Sequence, residues 1–182
     1  VGESRRRRRW TALALFSFAL LASGCAVNGM PPSSPATTST VSTPSINDAT
    51  EAFTRFNSVL DGYYSGTAVA DDFAPVATSG FLNELREAEK NSDRRTRTVG
   101  VSTFDSEKLV DPTQWGGFGE LALVVCRDVS KTQLIDEHGN PSTTKRARTR
   151  IPMIVFFEPG AASQSELVVT KVEQWNETDY CS

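Results

Sequence analysis

Apolar residues recur at steps of three and four from residue 49 onward: Ala49, Ala52, Phe53, Phe56, Val59, Leu60, Tyr63 and Tyr64. Such spacing lays them along one face of a helix running to about Tyr64. Ser45 and Asp48 make a capping box at its start, with aspartate in place of the usual glutamate, and Ser65-Gly66 ends it. Residues 67–77 read as one or two short helical turns broken at Pro75. A third helix follows, with Ser79 as its cap. Phe81, Leu82, Leu85 and Ala88 face inward, the charged residues between 84 and 90 face outward, and Asn91-Ser92-Asp93 closes it.

After Asp93 the period drops to two. Residues 95–104 (RTRTVGVSTF) are rich in β-branched side chains and predict a strand. DPTQWGG at 111–117 is a turn-rich connection, and 118–135 holds the strongest strand signal, GELALVVCRDVSKTQLI. The turn DEHGNP at 136–141 ends it. Residues 146–157 (RARTRIPMIVFF) pair back, with Pro152 marking a bulge or an edge. After the loop EPGAASQS, residues 166–175 supply the last strand. Helices first and long antiparallel strands afterwards predict an α+β fold.

Ahead of that domain the pattern is different. Five consecutive arginines, Arg5 to Arg9, precede the apolar run WTALALFSFALL at 10–21. Twelve helical residues rise about 18 Å, well short of the ~30 Å hydrocarbon core of a bilayer. A basic segment, a short apolar segment and then small residues make a secretory signal. Residues 26–44, AVNGMPPSSPATTSTVSTP, contain no charge and no aromatic. They bury too little apolar area to offset their ordering entropy, and so form a tether.

The small pair Ser23-Gly24 leads directly into Cys25. The stretch LLASGC resembles the lipobox of bacterial lipoproteins, with Ala22 where that family usually has leucine. The resemblance implies a signal peptide at 1–24 and a diacylglyceryl group on Cys25, which becomes the mature N-terminus. It also implies a tether to residue 45, a folded domain over 46–182, and a membrane-anchored location on the extracytoplasmic face. Two acyl chains hold a protein firmly, since each buried methylene adds about 0.8 kcal/mol.

Export changes the charge and the cysteine arithmetic. The whole chain has 19 basic and 22 acidic residues. Without the five leader arginines and Glu3 there remain 14 against 21, a net charge near −7. That balance argues against nucleic acid as a partner. Of three cysteines, Cys126 and Cys181 remain once the resemblance assigns the lipid to Cys25, an even number in an oxidising compartment. A disulfide between them is expected.

Helices followed by about four long strands resemble the NTF2-like (cystatin-like) cone, in which a curved antiparallel sheet wraps an N-terminal helix. Lipobox, Ser/Thr/Pro tether and such a domain occur together in actinobacterial-type lipoproteins of unknown function. The superfamily has no signature motif, so the resemblance carries over no site residue.

Candidate chemistry is sparse. His138 is the one histidine and sits in the DEHGNP turn, flanked only by Asp136 and Glu137. This is a poor metal set, because transition-metal sites draw several His or Cys side chains onto one point. There is no GxSxG, P-loop or GxGxxG spacing and no CxxC, and no cofactor is implied. Arg146, Arg148 and Arg150 alternate and so share a strand face, a charged outer sheet surface near Arg127 or Lys131. Trp115, beside Gly116-Gly117, is either a loop tip that meets a partner or an aromatic that closes the core. The cone, where it encloses a pocket, offers Tyr63, Tyr64, Asp71 and Asp72 as candidates for ligand binding or proton transfer. The expected role is therefore a non-enzymatic binding or scaffolding domain that meets an envelope protein or the cell wall. A small-molecule binder or proton-transfer enzyme is the alternative.

Overall fold

The computed structural model describes residues 44–91, 96–143, 146–163, 166–175 and 180–182. The leader, Cys25 and the tether as far as residue 43 lie outside the described residues. Within them the chain is α+β, with helices α1 (Ile46–Ser65) and α2 (Ser79–Lys90). Six strands follow: β1 (Thr96–Val99), β2 (Thr103–Val110), β3 (Leu121–Asp128), β4 (Gln133–Asp136), β5 (Arg150–Pro159) and β6 (Leu167–Gln174). They form a four-stranded antiparallel sheet in the order β2-β3-β5-β6 and a separate antiparallel pair, β1-β4. Among the described residues no helix is long and apolar enough to cross a membrane.

The capping box at Ser45 and Asp48 forms, each residue satisfying the other's backbone N–H. At the far end Gly66 adopts φ 81°, the left-handed geometry that closes a helix without a Cβ penalty. The second helical stretch is one 3-10 turn, Ala70–Phe73. Thr78, not Ser79, caps α2: its Oγ1 accepts the Phe81 N–H at 3.3 Å. Ala88 and Tyr64, both expected inward, are exposed, because each lies at the margin of its helix's apolar stripe.

The sheet reads differently from the strand signals in three places. Residues 95–104 do not make one strand, since the chain turns at Gly100 and splits into β1 and β2, which belong to different sheets. The 118–135 run divides as well. Asp128 Oδ1 accepts the Ser130 N–H at 2.8 Å and the Thr132 N–H reaches the Val129 carbonyl at 3.0 Å. That side-chain-assisted turn sends β4 away from β3 to pair with β1. Pro152, finally, lies in β5, an inner strand, opposite Cys126. The Trp175 N–H donates to the Pro152 carbonyl at 3.0 Å. In an antiparallel strand a residue's N and O face the same side. The Pro152 nitrogen therefore faces Trp175, just beyond β6, so the proline costs only the reciprocal bond of that terminal pair and none of the bonds to β3.

Alternation along β3 builds two apolar layers. Leu123 and Val125 join Phe53, Phe56 and Leu60 of α1, with Phe73, Val155 and Phe157. Phe53, Phe56 and Phe73 are essentially inaccessible to water, and each contributes roughly 1.5–3 kcal/mol by burial. Ala122 and Val124, on the opposite face, pack with Ile154, Phe156 and Trp175.

The C-terminal tail covers that outer face. Cys126 and Cys181 are joined, with Cα atoms 5.5 Å apart. The Tyr180 hydroxyl donates to the Ser106 carbonyl, and Arg150 Nε donates to the Cys181 carbonyl at 3.1 Å. Ser106 sits at φ 60° in a bulge of β2, the edge strand of the sheet. On the same face Trp115, from the 3-10 turn Pro112–Trp115, packs tilted against Trp175 with ring centres 4.1 Å apart. The Trp175 Nε1 is buried with no acceptor among the described residues, a deficit of about 1–3 kcal/mol.

Candidate functional site

Four polar side chains from three elements converge at the C-terminal half of α1. Asn57 and Asp61 are one helical turn apart and so share a face. Ser102 belongs to the link between β1 and β2, and Arg127 ends the helix-facing row of β3 after Leu123 and Val125. The Asp61 carboxylate receives three donors: Arg127 Nη2 at 2.6 Å, Ser102 Oγ at 2.8 Å and the Ser102 N–H at 2.8 Å. Arg127 Nε donates to Asn57 Oδ1 at 2.7 Å, and Asn57 Nδ2 donates to Ser102 Oγ at 3.0 Å. The Tyr64 ring lies 5.6 Å from the guanidinium carbon. The Arg127 and Asp61 side chains are only 8% and 12% exposed. Such a pair offsets its desolvation only when its remaining hydrogen-bonding capacity is also met, as here.

Above this floor opens a cleft of about 650 Å³ between α1 and residues 99–104. Its helix wall carries the hydroxyls of Thr54, Ser58 and Ser65, and the opposite wall is Val99, Val101 and Phe104. Gly100 shapes the strap: at φ +108° a Cβ there would sit 2.7 Å from the Lys131 carbonyl oxygen. Chemically the cleft offers hydroxyls and apolar surface. Asp61, the acid among the described lining residues, already accepts three hydrogen bonds from Arg127 and Ser102.

The residues nominated from the sequence do not meet around this cleft. Tyr63 packs in the core, 5.6 Å from the Phe73 ring. Tyr64 is exposed beside Arg127. Asp71 pairs with Arg86 at 2.6 Å on the open surface, and Asp72 accepts the Val69 N–H at 2.8 Å to cap the 3-10 turn. His138 is solvated in its turn, where Asp136 Oδ1 accepts the N–H groups of His138 and Asn140. Among the described residues no three His, Cys, Asp or Glu side chains converge as a metal site needs.

The alternating arginines do not share one face. Arg146 is a clamp on the carbonyls of Val129 and Thr132, 3.2 and 2.9 Å away, beside Thr98. Arg148 is exposed. Arg150 grips Asp105 with two bonds of 3.0 and 2.7 Å, and that pairing holds the Asp105 carboxyl below its ordinary range. Arg127, expected on the outer surface with them, is buried on the helix side.

Sequence reasoning passed over Asn57, Asp61 and Ser102, and it put Arg127 on the wrong face of the sheet. The available signal was an arginine closing the apolar row 121, 123, 125 of a strand, together with polar residues at 57 and 61 next to a helix's apolar stripe. No protein family, curated protein or solved structure matches the chain.

Proposed function

We propose that this is an exported lipoprotein, anchored to the outer side of the cell membrane through diacylglyceryl Cys25, whose tethered NTF2-like domain binds or scaffolds another envelope component without catalysis. The observation that carries the reading is the Cys126–Cys181 disulfide. Structural disulfides persist where the surroundings are oxidising, which agrees with a leader and lipobox directing the chain out of the cytoplasm. The lack of catalysis is supported by the Asp61 carboxylate, committed to Arg127 and Ser102.

The test is fractionation of a bacterium expressing the full chain, with mass spectrometry of the peptide carrying Cys25. Acylated Cys25 at a mature N-terminus in the membrane fraction is the expected result, and Cys25→Ser moves the protein out of that fraction. An unmodified Cys25 still preceded by its leader refutes the reading.

The 650 Å³ cleft favours a second reading, a small-molecule binder, since ligand sites commonly span about 300–1,000 Å³. In that reading the ligand lies against Val101 and Phe104 and hydrogen-bonds to the α1 hydroxyls.

A further inference from the structure

The outer face of the sheet carries a second hollow, of about 310 Å³, walled by Trp115, Trp175 and Tyr180 and lined also by Lys108, Asp111 and Gln114. Three separate segments build it: β2 and its continuation, the 3-10 turn after it, and the C-terminal tail. The tail is present there because the disulfide and Arg150 hold it.

Three observations indicate what this hollow accepts. The first is the pair of indoles. Trp115 is 38% exposed, and its ring is tilted 49° to that of the buried Trp175. It offers a flat, apolar, partly wet surface. The second is the Trp175 N–H, a buried donor that has no acceptor among the described residues. It is closed to water, so an acceptor reaches it only when the wall of the hollow opens, and Trp115, which precedes the Gly116-Gly117 turn, packs against that indole. The third is charge. Among the described lining residues Lys108 and Asp111 bring one charge of each sign, and Asp111 already accepts from the N–H and hydroxyl of Thr113. A strong anion meets Asp111 and a cation meets Lys108, so neither is favoured. Gln114 adds a donor and an acceptor together.

A neutral ring with one apolar face and hydroxyls that both donate and accept satisfies all three. We propose that this hollow binds a pyranose unit of a glycan, stacked on Trp115, with hydroxyls reaching Gln114, Lys108 and the Trp175 N–H. The proposal deepens the reading of the domain as a binding module of the envelope and rests on it for the supply of glycan.

The test uses the full chain purified in detergent with Trp10→Phe, so that Trp115 and Trp175 are the only indoles and the emission reports this hollow alone. Titrations with methyl glucoside, N-acetylglucosamine and short oligomers of each are expected to give a saturable change in emission. Gln114→Ala, on an exposed turn, and Trp115→Ala are each expected to weaken it about tenfold or more, with Gln114→Ala unchanged in melting temperature. Silence toward every saccharide overturns the proposal. So does a response that both variants leave intact, or one that acetate or methylamine reproduces. An acylated chain that ignores all the sugars refutes this site and leaves the envelope reading standing. Sugar binding by a chain whose native Cys25 is unmodified does the reverse.

Discussion

Arg127 Nη2 stands 2.6 Å from Asp61 Oδ1, so the end of β3 is fastened to α1 by an ion pair nearly closed to water. Deleting one partner strands the other without compensation, at a cost of about 3–5 kcal/mol. Asp61→Ala and Arg127→Ala are each expected to fall in that range by urea unfolding. The double variant Asp61→Leu/Arg127→Met is expected to lose less than either. Additive losses would show that the two charges do not depend on one another.

Bridging Cys126 to Cys181 closes a loop with a sequence separation of 55. Loop-closure entropy alone gives about 4 kcal/mol for such a span. Cys181→Ser is expected to lower the urea midpoint accordingly and to free the tail. In the parent chain, alkylation is expected to label Cys126 and Cys181 only after reduction. Labelling of either thiol before reduction contradicts the pairing.

Thr78 holds the first turn of α2 through its hydroxyl. Thr78→Ala is expected to cost about 1 kcal/mol. Ser79→Ala, one residue on, should change stability by no more than about 0.5 kcal/mol. Equal losses at both positions in thermal melts would count against this assignment of the cap.

Stability is expected to fall at both ends of the pH scale. Asp105 lies below its ordinary 3.8, first through the hydrogen bonds from Arg150 and then through Ser106. Asp48, Asp128 and Asp136 are lowered in the same direction, chiefly by backbone N–H bonds. A depressed folded value gives stability that is present above the unfolded value and lost as pH falls through the folded one. The melting temperature should therefore drop below about pH 4, and less steeply in Asp105→Asn. Tyr180 is the opposite case. Burial, then Glu107 and Asp105, push its phenol above 10.0, so its contribution is complete below pH 10 and disappears as pH rises through the folded value. Melting curves across pH, with phenolate absorbance at the alkaline end, check both limbs.

Periodicity alone located α1, α2 and the central strands, because Phe53, Phe56, Leu123 and Val125 are placed by burial, and burial follows spacing. It failed where one side chain redirects the backbone. The Asp128 turn is what separates β3 from β4, and the apolar pattern runs through it almost unbroken. Pro152 misled for a related reason: a strand's ladder ends at a particular residue, and only the position of β6 shows that the proline nitrogen falls at that end. The Cys126–Cys181 pairing was legible from parity and compartment. The Asn57–Asp61–Ser102–Arg127 cluster was not, since the bonds that tie α1 to Ser102 and Arg127 span 41 to 70 residues and each residue, taken singly, reads as a surface residue.

At the open margin of the sheet, the kink at Ser106 and the Tyr180 hydroxyl on its carbonyl have a bearing on how copies behave when crowded. An unfinished sheet invites a neighbour to zip onto it through matching main-chain groups. Here one acceptor is already occupied and the strand is bent out of line, so this edge offers a second molecule no straight template for extending the array.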